Sequence, residues 1–64
     1  FTQRGNNLEF NTSIEHVMIY NPAGMLIVDA HNTATINVSS LKGIYIIHII
    51  HNDKIITQKI TLKD

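Results

Sequence analysis

The side chains able to do chemistry are four histidines, His16, His31, His48 and His51, the hydroxyls Ser13, Ser39 and Ser40, and the carboxylates Glu9, Glu15, Asp29, Asp53 and Asp64. Metal binding needs two or more of them converging on one point. Within an isoleucine-rich run of strand character His48 and His51 are three residues apart, so they leave opposite faces and cannot chelate one ion. His16 and His31 lie in different segments with no second pair at ligand spacing, so no metal site is expected. The serines sit among turn residues, where a hydroxyl bonds nearby backbone, and no strand-Ser-helix elbow surrounds them. The carboxylates are scattered over separate elements. A chain of 64 residues has little volume for a pocket of roughly 300 Å³ beside its core. No catalytic residue and no cofactor-binding residue is assigned. There is no cysteine, which removes thiol chemistry and disulfides together.

The elements that would hold these residues are strands. Twelve Ile, three Val and six Thr make a β-branched composition that suits a pleated, half-buried surface. Turn chemistry cuts the chain at Asn6-Asn7, Asn11 to Ser13, Asn21-Pro22-Ala23-Gly24, Asp29 to Thr33, Ser39 to Gly43 and Asn52-Asp53. The runs between predict strands at Leu8–Asn11, Glu15–Tyr20, Met25–Asp29, Ala34–Val38, Gly43–His51 and Lys54–Leu62, with no helix, an all-β sandwich pattern. In Asn21-Pro22-Ala23-Gly24, Pro presets φ at the second position and Gly suits the fourth position of a type I turn. Asn52-Asp53 tolerates the positive φ of a type I′ hairpin. That hairpin pairs Ile50 with Ile55 and Ile49 with Ile56, which puts Tyr45, Ile47, Ile49, Ile56, Ile60 and Leu62 on a core face interrupted by Gln58. The reverse face is half apolar. A neighbouring domain or a docked protein would cover it.

Five basic and five acidic residues leave no basic surface for nucleic acid or an anionic membrane. The longest apolar runs, Ile46-Ile47 and Ile49-Ile50, are far short of the roughly 20 residues of a membrane helix. Phe1 in the place of an initiator Met predicts a piece of a longer polypeptide. Asn11-Thr12-Ser13 and Asn37-Val38-Ser39 fit the N-glycosylation pattern, a signal with a high false-positive rate.

Three segments in order carry a resemblance. "VMIYNPAGMLIV", "INVSSLKGIYIIHI" and "KIITQKITLKD" are together similar to the C-terminal sorting domains of type IX secretion. In that family an apolar strand runs into Y-N-x-x-G and a second strand, a Leu-containing turn leads into Gly-hydrophobic-Tyr, and a Lys precedes an apolar pair in the closing strand. The resemblance covers about Leu8 to Lys63. It implies an all-β fold, a small immunoglobulin-like antiparallel β-sandwich of six to seven short strands over residues 8–64, after a linker or truncated segment at 1–7. Its motif positions here are Gly24, Gly43 and Tyr45 as fold markers, with Lys59 and Lys63 as recognition residues. The implied role is a non-catalytic export signal of a Bacteroidetes-type bacterium. It would direct an upstream cargo, itself an enzyme such as a secreted protease in some cases, through the periplasm to the outer-membrane surface or the extracellular space. The implied partners are the secretion machinery, a sortase that cuts the domain off, and the cargo; self-association through the apolar outer face is a further expectation. The usual Tyr-Pro-Asn-Pro-like opening is replaced by Phe1-Thr2-Gln3-Arg4-Gly5-Asn6, and the chain ends in Asp64. A non-catalytic immunoglobulin-like accessory or adhesion module of a larger secreted enzyme is the alternative, although Phe1, Phe10, Tyr20 and Tyr45 are too few and too separated for an adhesive aromatic row.

Overall fold

The β-branched runs form five strands in a computed structural model that describes residues 1–62. They are β1 (Thr2–Arg4), β2 (Asn7–Tyr20), β3 (Leu26–Asn37), β4 (Gly43–His51) and β5 (Lys54–Leu62). All pairings are antiparallel, and no helix occurs among the described residues. The class is the all-β antiparallel one expected, with five strands in one curled sheet. The central strand is β2. β3 lies along one edge of it, so β1, against Asn7–Glu9, and β4, against His16–Tyr20, share the other edge, and β5 follows β4.

The strand count falls because two expected turns lie inside continuous strands. Four residues of β2, Phe10 to Ser13, stand opposite Ala34 alone in β3. Such an insertion bends a strand and increases its twist without ending it. Nearby, Asn32 takes φ 51° inside β3, a left-handed conformation that Asn tolerates. The strands predicted at Leu8–Asn11 and Glu15–Tyr20 are therefore one, as are those at Met25–Asp29 and Ala34–Val38. Thr2–Arg4, ahead of the first expected strand, pairs with Asn7–Glu9 through the loop Gly5-Asn6.

The bend lets one sheet make its own core. Leu8, Ile36, Val38 and Leu41 from one half are buried in a single cluster with Val17, Ile19, Ile47, Ile49, Ile60 and Leu62 from the other. Val17, Ile19 and Ile47 are fully buried, each worth about 1.5–3 kcal/mol relative to an exposed side chain. The loop after β3 is closed by the Leu41 N–H donating to the Val38 carbonyl and by the Val38 N–H donating to the Asn6 carbonyl, at 2.9 and 2.7 Å. The last hairpin has the expected register, Ile50 with Ile55 and Ile49 with Ile56. Asn52 and Asp53 sit at φ 51° and 62°, the two positive values of a type I′ turn. Ile56 departs from expectation. It is 53% exposed, because β5 is an edge strand with no neighbour beyond it among the described residues.

Candidate functional site

The residues that carry the resemblance divide by what the fold does with them. Gly24 closes the Asn21–Gly24 turn at φ 89°, with its N–H donating to the Asn21 carbonyl at 2.9 Å. The Asn21 side chain accepts the Met25 N–H at 2.9 Å. This is a type I turn followed by a glycine bulge, which joins β2 to β3. Gly43 opens β4 at φ 98°. A Cβ at either glycine would meet open space, so backbone conformation selects glycine there, not close approach. Tyr45 lies opposite Ile60 and packs against the core. Lys59 is exposed on β5 opposite Ile46. Lys63 lies outside the described residues.

Lys59 belongs to the convex outer face, which alternation and register define. Across β2, β4 and β5 this face runs through Tyr20, Ile46 and Lys59 in one row and through Met18, His48 and Thr57 in the next. The Tyr20 ring meets the His48 ring edge-on at 5.1 Å, and its hydroxyl donates to Met18 Sδ at 3.4 Å. Ile44 and Ile55 are exposed here. At one end Pro22, Ile44, Ile46 and Lys59 line a concavity of about 340 Å³. Its floor is apolar, and among the described residues the Lys59 ammonium is the one charged group lining it. The three resembling segments meet there: Pro22 comes from the first, Ile44 and Ile46 from the second, Lys59 from the third.

The histidines give a different picture from the sequence expectation. His48 and His51 do leave opposite faces. His48 is in the outer row, and His51, at the end of β4, has its Nδ1 buried without a hydrogen-bond partner among the described residues. His16 and His31, read as isolated, are paired directly across β2 and β3, their rings stacked at 4.0 Å and 15°. Asp29 Oδ1 lies 2.6 Å from His16 Nε2 and 3.4 Å from His31 Nε2. Sequence alone hides this pairing because β3 carries one extra residue, Ile27, between the partners of Ile19 and Tyr20. Without that slip His31 would point to the other face.

A strand-turn-strand, a glycine-led β4 and a Lys-bearing final strand, converging on one concavity, form a pattern that a family comparison can test over the whole chain. The family model of the secretion system C-terminal sorting domain matches residues 3–63. The chain belongs to this family. No curated protein and no solved structure matches it. The sorting domain is thus a signal for type IX secretion, a route associated with Bacteroidetes and their outer membrane, and it leads to the cell surface or the extracellular space through interaction with the type IX machinery. Of the residues that carry the resemblance, Gly24 and Gly43 shape turns, Tyr45 packs on the core, and Lys59 is exposed to solvent.

Proposed function

We propose that this sorting domain is a non-catalytic, folded export address read at the concavity lined by Pro22, Ile44, Ile46 and Lys59. The observation that carries the proposal is the meeting of all three motif segments at that one place. An apolar floor with one ammonium at its rim suits a protein surface bearing an apolar side chain beside a carboxylate. On this reading Lys63 is a second recognition residue, Gly24 and Gly43 hold the turns on either side, and Tyr45 anchors β4 from within. The cargo lies upstream in the same polypeptide. It passes through the periplasm, and a sortase removes the sorting domain when the cargo is anchored or released at the surface. Self-association through the remaining apolar outer face is a subsidiary part of the proposal.

The test is export of a reporter joined to a signal peptide and to this domain in a type IX-competent bacterium. The intact fusion is expected at the cell surface. Lys59→Glu and Lys63→Glu together are expected to retain it in the periplasm, while melting changes little, since surface substitutions usually lie within about ±0.5 kcal/mol. Unchanged export of the charge-reversed fusion would remove Lys59 and Lys63 from recognition. If the intact fusion stays periplasmic while one carrying an authentic sorting domain is exported, this piece is an accessory module of its parent protein.

A further inference from the structure

The outer face of β2 and β3 holds a cluster that includes none of the residues lining the concavity. His16 and His31 are direct cross-strand partners, and Asp29 stands two residues before His31 and so on the same face. One donor atom from each lies within 4.8 Å of the other two. We propose that His16 Nε2, His31 Nε2 and Asp29 Oδ1 form a binding site for a divalent first-row transition metal of borderline softness, with zinc as its best fit.

The donor set supports this assignment. Two imidazole nitrogens and one carboxylate oxygen suit zinc, and an open site of this kind leaves a fourth position for water. Zinc bonds of about 2.0–2.2 Å in a tetrahedron place neighbouring donors roughly 3.3–3.5 Å apart. His31 Nε2 and Asp29 Oδ1, at 3.4 Å, already have that spacing. His16 Nε2 and Asp29 Oδ1, at 2.6 Å, form a hydrogen bond that the ion replaces, so this edge opens by about 0.7 Å. An ion bonded to a ring nitrogen lies near the plane of that ring, which two stacked rings cannot both satisfy. Binding therefore splays the stack. The His31 side chain, 61% exposed against 25% for His16, has the freedom to turn. The two strands fix the Cα positions, so rotamers alone need to change. A metal on donors from both strands also clamps β2 to β3 beside the bulge.

Zinc chloride titrated into the full chain, free of any histidine tag, is expected to bind with one equivalent and a dissociation constant on the order of micromolar. It should also raise the melting temperature as zinc increases. His31→Ala and Asp29→Asn are each expected to weaken binding at least tenfold, and His48→Ala to leave it unchanged. No binding up to millimolar zinc overturns the site, as does binding that His31→Ala leaves intact or that His48→Ala abolishes. Imidazole nitrogen NMR of the unaltered chain decides the matter even if a variant fails to fold. Zinc-dependent shifts at His16 and His31 Nε2 support the site; shifts confined to His48 or His51 refute it.

Discussion

At the scale of single residues, the fold separates positions that look alike in sequence. Ile49 and Ile56 are the same residue type, paired across one hairpin, yet Ile49 is buried under the curl while Ile56 is exposed at the free edge. Ile49→Asn should therefore cost the roughly 2–5 kcal/mol of a large core truncation, plus about 1–3 kcal/mol for a buried amide without partners. Lys54→Asn, at the solvent-exposed start of β5, should change stability by less than about 0.5 kcal/mol. Urea melts of the two variants check this, and equal midpoints would mean that the concave face is misassigned. The contrast between Lys59 and Tyr45 has the same origin. They share a hairpin, but the pleat sends Tyr45 to the core and Lys59 to solvent, so of the two Lys59 is placed to meet a partner.

At the scale of elements, what was legible in the sequence depended on whether a turn or a bulge set the register. Asn52-Asp53 set the last hairpin, and every pair from His51–Lys54 to Gly43–Leu62 follows from that one turn. A second tie holds it: Glu15 Oε1 on β2 accepts the Asn52 N–H at 2.6 Å. Replacing Asp53, at φ 62°, by Val is expected to cost about 1–2 kcal/mol, because a β-branched residue pays the full left-handed penalty, whereas Gly there should be tolerated. Thermal melts of both variants distinguish the outcomes, and a neutral Val would exclude the type I′ geometry. The long β2–β3 pairing was not legible in the same way. Bulges, turns and strand residues of positive φ draw on the same Asn, Thr and Ser chemistry, so Asn11 to Ser13 and Asp29 to Thr33 read as chain reversals, when the first lies in a bulge of β2 and the second in β3, paired in one register with Ile14 to Met18. The His16–Asp29–His31 cluster was lost with them. Its existence depends on a one-residue slip at Ile27 that no side chain announces.

At the scale of the whole molecule, one curled sheet with one core leaves no part able to fold alone. Every strand from β2 to β5 contributes to the same buried cluster, and the two halves of the sheet are continuous through β2 and β3. A domain of 64 residues has a total stability of roughly 3–10 kcal/mol. Deleting residues 57–64 removes Ile60 and Leu62 from the core and strips β4 of most of its outer partner, a loss comparable with the whole of that stability. The truncated chain is therefore expected to be unfolded throughout. Its amide NMR spectrum should lose the dispersion of a β-sheet at β1 and β3 as well as at β4. Persisting dispersed signals from β1 to β3 would show a separable half-sheet, and the single-core account would fail. This cooperativity bears on export, because a truncated sorting domain that stays inside the cell has lost its fold together with its last strand. Charge reversal at Lys59, which leaves every core side chain in place, separates recognition from folding.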